Sequence, residues 1–311
     1  MAPSTLGHTN IPPALCDLPQ ELVDRVVDLL RDDAAALRAC SLVHRSMRPR
    51  AQFHIYRSVS LTPQRWVQYN DLGRDSPHLA AAVRHLRITQ SVTALIGRKH
   101  TGQCVLGYEQ FVEPQATQSS PMFPAVTTLR LDLLDPIALS PSLLSLVCDL
   151  RRIETLRMRT CKFTTLDCAA ELICYFPRLK SLTANDIFTD DTFDLTVEEP
   201  VTPYAITGPA NTTVRPAIEE LRLYPDAFMG EVSSISLTKW VVDQGMHDRL
   251  STLKIAVSRR VEVAVLSECL RQLGPRLQHL YLTLEQFNHD SESSSPLCRS
   301  PLSQSCLLQR R

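Results

Sequence analysis

The short pattern apolar-x-x-apolar-x-apolar occurs eight times along this chain and constrains its fold more than any other feature. The central apolar residues of the copies are Val59, Leu86, Leu129, Leu156, Leu182, Leu221, Leu253 and Leu280. Successive side chains of a strand point to opposite faces, so alternating apolar residues suit a strand with one buried face. The pattern predicts short strands whose inward side chains build one continuous core.

The spacing of the copies indicates a repeat architecture. Four of the seven steps between central residues are 26 or 27 residues long: 59 to 86, 129 to 156, 156 to 182 and 253 to 280. Such a regular step is typical of a solenoid, in which each repeat contacts its neighbours. The longer steps require insertions, which we place at 97–124 and 191–216.

Apolar residues at helical spacing lie between several copies. Helices are predicted from Thr62-Pro63, with Gly73 placed to end the helix, and from Ser140-Pro141. Two more are predicted from Leu166 to Phe176 and from Val261 to Leu273. The predicted class is therefore α/β, with short parallel strands alternating with helices in a right-handed array.

The segment before the repeats carries helix signals instead. Pro19 suits a first helical turn, and the carboxylate of Glu21 faces the positive end of the helix dipole. Either Asp32 or Asp33 can cap a second helix, and Pro49 opens a third. Three short helices form a small core, so we expect this unit to gain burial from a neighbour.

This segment resembles an F-box of the fungal type. The resemblance rests on Leu18-Pro19-x-Glu21-Leu22, on the Val26/Leu30 stripe, on Ala39-Cys40-Ser41-Leu42-Val43-x-Arg45-Ser46, on Pro49-Arg50-Ala51 and on Tyr56-Arg57-Ser58-Val59. Two positions depart from the family pattern: Met47 stands where an aromatic residue is usual, and His44 stands where this subgroup often has Cys. Met is adaptable packing material.

The resemblance implies a partner and a site. F-boxes dock the Skp adaptor of cullin-based SCF ubiquitin ligases, while a C-terminal domain holds the substrate. Carried over to this chain, the residues that form or support that interface are Leu18, Pro19, Leu22, Val26, Leu30, Leu37, Cys40 and Val43.

The second half resembles the degenerate leucine-rich repeats that follow many fungal F-boxes. The full repeat has Asn or Cys three residues after the last strand position, where the side chain satisfies the backbone of the turn. Only Cys161 supplies it, whereas Leu134, Asp226, Ser258 and Glu285 occupy that position elsewhere. The alternative is another α/β arrangement whose strands share a period. The Gly-rich turns of a mixed-sheet enzyme fold do not occur in the sequence.

These observations divide the chain. The predicted parts are a disordered leader (1–16), the F-box (17–57), an irregular leucine-rich-repeat-like solenoid (58–287) and a disordered tail (288–311). The two insertions could be disordered connectors or binding loops. No polar cap for the last repeat is visible in the sequence, so we expect an exposed apolar end.

Composition excludes several classes of protein. The 33 basic and 33 acidic residues balance, which argues against nucleic acid or an anionic membrane as the main partner. The start lacks a basic region followed by an apolar run, so it is no secretory signal. Ten Cys without a C-x-x-C pair are expected to be thiols of a cytoplasmic or nuclear protein.

No motif for catalysis is present. The phosphate-binding, nucleophile-elbow and zinc-protease patterns do not occur in the sequence. Cys161, Cys168 and Cys174 lie near one another in sequence, but zinc sites bring ligands in tighter pairs, so buried thiols are favoured. We predict no enzyme activity, no cofactor and no metal.

Two functions remain. The first is a substrate-recognition adaptor of an SCF-type ubiquitin ligase, which binds a Skp adaptor through its F-box and an unidentified protein target through its repeats. The alternative is a structural or scaffolding repeat protein whose N-terminal helices only cap the array. A third possibility is a degenerate copy that Met47 and the missing C-terminal cap leave unable to assemble.

Overall fold

The structure is a computed structural model, and it describes eight ranges of the 311 residues. These are 18–90, 122–134, 146–163, 166–189, 215–224, 234–257, 260–284 and 304–309. The predicted disordered leader lies outside them, as do residues 97–121 and 191–214 of the two insertions.

The first 39 described residues form a three-helix unit. Its helices are α1 (Gln20–Leu29), α2 (Ala34–Val43) and α3 (Arg48–Tyr56). Asp33 caps α2, because its side chain accepts hydrogen bonds from the backbone N–H groups of Ala35 and Ala36 at 2.9 Å. Pro49 lies in the first turn of α3, where a missing backbone N–H costs nothing.

Strands and helices alternate in the rest of the chain. The strands are β1 (Ser58–Leu61), β2 (His85–Thr89), β3 (Thr128–Asp132), β4 (Thr155–Phe163), β5 (Ser181–Thr189), β6 (Glu220–Tyr224), β7 (Thr252–Val257), β8 (His279–Leu284) and β9 (Gln304–Gln309). The helices are α4 (Pro63–Asp75), α5 (Pro77–Ala80), α6 (Leu166–Cys174), α7 (Ser234–Asp243) and α8 (Arg260–Leu273), with a 3₁₀ turn at Gly274–Arg276.

All nine strands belong to one sheet, in chain order. β1 to β8 pair in parallel, and β9 pairs antiparallel with β8. The central residues of the eight sequence copies lie opposite one another in one line across the sheet, from Val59 and Leu86 to Leu253 and Leu280. The prediction of short parallel strands alternating with helices is confirmed. We call this part the array.

The described residues contain two separate hydrophobic clusters. The cluster of the array contains inward residues of β1 to β7 together with helix residues such as Trp66 and Ile173, and Leu280 and Leu282 of β8 pack against it. The helices therefore cover the inner face of the sheet. The cluster of the three-helix unit consists of Val23, Val27, Leu37, Met47 and Ala51. The change from one part to the other falls between Tyr56, the end of α3, and Ser58, the start of β1.

Three successive strands share an unusual backbone conformation. Leu133, Thr160 and Asp186 have φ of 55°, 52° and 55°, and they stand at equivalent positions, directly after β3 and within β4 and β5. One residue after Thr160, Cys161 is buried, and its thiol lies within hydrogen-bonding distance of two backbone carbonyls, those of Leu131 at 3.5 Å and Arg159 at 3.6 Å. The thiol has one hydrogen, so it donates to one of these carbonyls at a time.

Two sequence predictions differ from the structure, and a third lies partly outside the described residues. Gly73 does not end α4, which continues to Asp75; a Cβ at Gly73 would lie 3.1 Å from Cγ of Met122, so this glycine allows a close approach. The sequence predicts a disordered tail, but the structure places Gln304–Gln309 in β9 along the edge of β8. The start predicted at Ser140-Pro141 lies outside the described residues, although 146–149 are helical.

Candidate functional site

The eight predicted interface residues occupy two environments. Leu18, Pro19, Leu22, Val26 and Val43 are exposed. The exposed fractions of Leu22 and Val26 are 48% and 46%, although both are apolar residues of a helix. Leu22 and Val26 are four residues apart, which places them on one side of α1, and Leu18 lies two residues before the start of that helix. We call these three side chains the exposed apolar face.

The other predicted residues support the unit from inside. Leu37 is buried, and Leu30 and Cys40 pack against the same cluster. Met47 is buried beside Leu37, so the residue that departs from the family pattern belongs to the packing of the three helices. Its flexible thioether fills space between them.

Two exposed side chains were missing from the predicted set. Leu29 and Leu42 are each 81% exposed, more than any predicted apolar residue of the interface. Their signal in the sequence is the width of the apolar stripe: the helices carry more apolar residues than their small core can bury.

A hydrogen bond fixes the relative position of α1 and α2. The side-chain amide of Gln20 donates to the backbone carbonyl of Ser46 at 2.9 Å. The start of α1 therefore lies beside the turn between α2 and α3.

A charge cluster joins the other end of α1 to α3. Arg50 donates two hydrogen bonds to the carboxylate of Asp28, at 2.5 and 2.7 Å, and Nε2 of His54 lies 2.7 Å from the same carboxylate. The hydrogen bonds from Arg50 and His54 hold the pKa of Asp28 well below its usual range. This cluster sets the angle at which α1 presents the exposed apolar face.

The outer face of the sheet carries a second feature, which the sequence pattern alone did not single out. The residue between the two buried residues of a strand is basic in five strands: Arg87, Arg130, Arg157, Arg222 and Lys254. Neighbouring members are paired in register, and only Thr183 of β5 interrupts the series. We call these five residues the basic row. Its signal was present in the repeated L-R-x and L-K-x triplets.

Carboxylates accompany part of the basic row. Asp132 is 2% exposed, and both Arg87 and Arg130 pair with it, at 2.5 and 2.8 Å. Glu220 pairs with Arg222 at 2.5 Å. Burial raises the pKa of Glu220, but hydrogen bonds from Arg222 and Ser181 outweigh this effect, so the net shift is downward.

The described residues were also compared with the requirements of a metal site, a reactive thiol and a membrane span. No group of three His, Cys, Asp or Glu residues within these ranges could hold a metal ion. Burial raises the pKa of the Cys161 thiol to about 12, which keeps it protonated and unreactive. No helix in these ranges has the length and apolar character needed to span a bilayer.

No family model matches the chain. No curated protein matches it either.

Proposed function

We propose that this chain is a substrate-recognition adaptor of an SCF-type cullin ubiquitin ligase. In this proposal the three-helix unit is an F-box that binds a Skp adaptor, and the array is a degenerate leucine-rich-repeat solenoid that holds a protein target. The protein then acts in the cytoplasm or the nucleus. It contributes no reactive group, because holding a target near the ubiquitin-loaded enzyme raises the local concentration of target lysines.

The observation that carries the proposal is the exposed apolar face. Burying a Leu or Val side chain contributes about 1.5 to 3 kcal/mol, and Leu22 and Val26 each leave nearly half of that surface in water. Exposed apolar side chains grouped on one side of a unit are typical of a protein interface. Their residues are also those that carry the resemblance to an F-box.

The interior of the unit agrees with a docking role. Five buried residues are a small core, and the Asp28–Arg50–His54 cluster supplements it with polar contacts between α1 and α3. A unit built this way gains apolar burial when a partner covers α1. Binding to the folded state alone then stabilises the unit by mass action.

The test is direct binding of purified Skp adaptor to the full chain. We expect binding by the parent and a loss of about 2 kcal/mol or more for Leu22→Ala or Val26→Ala, because central apolar anchors dominate an interface. Val263→Ala is the matched control, since Val263 is 49% exposed on α8 of the array. Its affinity should equal that of the parent.

A triple variant, Leu18→Ala with Pro19→Ala and Leu22→Ala, removes the start of the face while leaving the buried cluster intact. We expect it to lose binding completely and to keep its helical circular dichroism. A folded parent chain that does not bind the adaptor would overturn the proposal.

The second candidate is a scaffolding protein whose helices only cap the array. The observation in its favour is that α3 lies against β1 and α5, as a terminal helical cap would. The scaffold predicts no adaptor binding. It also predicts that Leu22→Ala and Val263→Ala behave alike in every binding assay.

A further inference from the structure

The basic row has a geometry that backbone pairing imposes. Its members lie on β2, β3, β4, β6 and β7, and neighbouring strands of a sheet are about 4.8 Å apart. From Arg87 to Lys254 the row therefore extends over about 24 Å. This is the length of about seven residues of extended polypeptide.

The charge of the outer face is unbalanced near the middle of the row. The outward positions counted are those of β2 to β8 that come before Leu133, Thr160 and Asp186, the residues with positive φ. They hold six Lys or Arg side chains, which are the basic row and Arg159. The same positions hold only two carboxylates, Asp132 and Glu220. Within the described ranges neither Arg157 nor Arg159 has an ion-pair partner, and both are exposed on β4.

A neighbouring histidine responds to this positive charge. His85 lies on β2 at the side of the row. Burial lowers its pKa, and the cations Arg57, Arg157 and Arg84 lower it further. A local excess of like charge attracts an oppositely charged partner.

The chemistry of the row fits carboxylates. Nε of Arg130 already donates to both oxygens of Asp132, at 2.9 and 2.8 Å. Beside the row, the outward positions one step toward the strand starts are hydroxyl-bearing on three successive strands, at Thr128, Thr155 and Ser181. Such side chains can hydrogen-bond a peptide backbone.

Nucleic acid fits this face less well. Proteins that bind single strands stack bases on aromatic side chains. Among the same outward positions of β2 to β8, the aromatic rings of Phe, Tyr and Trp are Tyr224 and Tyr281, on β6 and β8, away from the unpaired cations of β4. Tyr281 is also engaged, because the ammonium group of Lys254 lies 4.2 Å from its ring centroid.

We propose that the basic row binds an extended acidic polypeptide segment, rich in Asp and Glu, which runs across the strands. The segment belongs to the target that the adaptor holds, so the biological role of this site depends on the proposed function. Binding of the acidic segment itself does not depend on the proposed function, so the full chain without any partner should show it.

The probe is a fluorescein-labelled peptide of about eight residues with alternating Glu and Ser, a length that matches the row. Its control peptide has Gln in place of Glu. We expect fluorescence anisotropy to report binding of the Glu peptide to the full chain, weaker at high salt because exposed charges are screened. Equal binding of the Gln peptide would overturn the proposal.

Variants locate the site. The double charge-reversal variant Arg157→Glu, Arg159→Glu should bind the Glu peptide more weakly, by on the order of tenfold or more, since each substitution replaces attraction with repulsion. Arg157→Lys keeps the charge and should keep most of the binding. The matched control is Arg271→Glu, an exposed reversal on α8, which packs on the inner face of the sheet. A loss with Arg271→Glu equal to that of the double variant would overturn the assignment.

A gain-of-function variant provides an independent arm. Asp132→Asn frees Arg87 and Arg130 from their shared carboxylate, so we expect the affinity for the Glu peptide to rise. An oligothymidine of similar length tests the other class of ligand. If the oligonucleotide binds the row more tightly than the peptide does, the ligand is nucleic acid and the proposal fails.

The two proposals can fail separately. The Arg157→Glu, Arg159→Glu variant should still bind the Skp adaptor, because the three-helix unit is unchanged. Adaptor binding without peptide binding would remove only the acidic-segment site. Peptide binding without adaptor binding would leave the basic row intact and remove the ligase role.

Discussion

The three-helix unit exposes an apolar surface to solvent, whereas the array exposes a polar, basic one. The array buries the inward side chains of its strands against helices and presents a polar, basic outer face. The helical unit buries five residues and leaves Leu22, Val26, Leu29, Leu42 and Val43 in water. An array adds core with each repeat, whereas three short helices cannot enclose their whole apolar stripe. In the proposed adaptor, the array is therefore stable by itself, and the Skp adaptor would cover the apolar surface that the helical unit leaves exposed.

The largest expected effect is in the array. Leu156→Ala removes a fully buried side chain from β4, and we expect the free energy of unfolding to fall by about 3 kcal/mol through lost burial and a cavity. Leu29→Ala makes the same chemical change on α1 at an 81% exposed position and should change stability by less than about 0.5 kcal/mol. Urea denaturation measures both. Equal effects would mean that the burial contrast is wrong.

The next effect is in the core of the helical unit. Leu37→Ala should cost about 2 kcal/mol, less than in the array because a small core can relax around the gap. Hydrogen exchange should show faster exchange in α1 to α3 and unchanged protection in β3 to β6, since the clusters are separate. Loss of protection in both regions would show that the two cores unfold as one.

A smaller effect is expected from the charge cluster. Asp28→Asn should destabilise the helical unit by about 1 kcal/mol, a modest value because the side chain of Asp28 is 38% exposed. The folded pKa of Asp28 is lowered, so its contribution is fully present above the unfolded pKa and is lost as the pH falls below about 4 through the folded value.

Acid titration of the parent and of Asp28→Asn, followed by circular dichroism, checks this sign. The stability of the two proteins should converge as the pH falls. A difference that persists or widens at low pH would contradict the assignment to the charged carboxylate.

The smallest effect is expected at an exposed ion pair of the array. Nζ of Lys180 lies 3.0 Å from Oε2 of Glu154, and the two side chains are 48% and 44% exposed. Lys180→Ala should therefore change stability by less than about 0.5 kcal/mol. Thermal denaturation of the two variants measures the contrast. Asp28→Asn should lower the melting temperature more than Lys180→Ala does.

The sequence predicted the inner face of the array better than the outer one. Inward positions repeat with a period of two within each strand, so the period alone is enough to align Leu129, Leu156 and Leu182. The basic row produced no comparable signal, because polar residues on a solvated face are ordinary. Its meaning depends on parallel pairing in register, which places Arg130 beside Arg157 across 27 residues of chain.

Other features depend on contacts that a sequence does not display. The burial of Asp132 requires arginines from two strands to cover it. The crowding that a side chain at position 73 would meet comes from Met122, which lies far along the chain. For the helical unit, the sequence predicted one set of interface residues, and the structure divides this set into exposed members such as Leu22 and Val26 and the buried Leu37.

The register of the sheet has a consequence for how specificity could evolve. Steps between strands vary from 26 to 43 residues, yet every parallel pair keeps the same alignment. Changes in connector length therefore leave the distances between outward side chains untouched. Substitution can change which side chain stands at an outward position of the sheet, but not the distance between neighbouring positions. A flexible ligand that lies across these positions must therefore bear most of the entropic cost of becoming ordered.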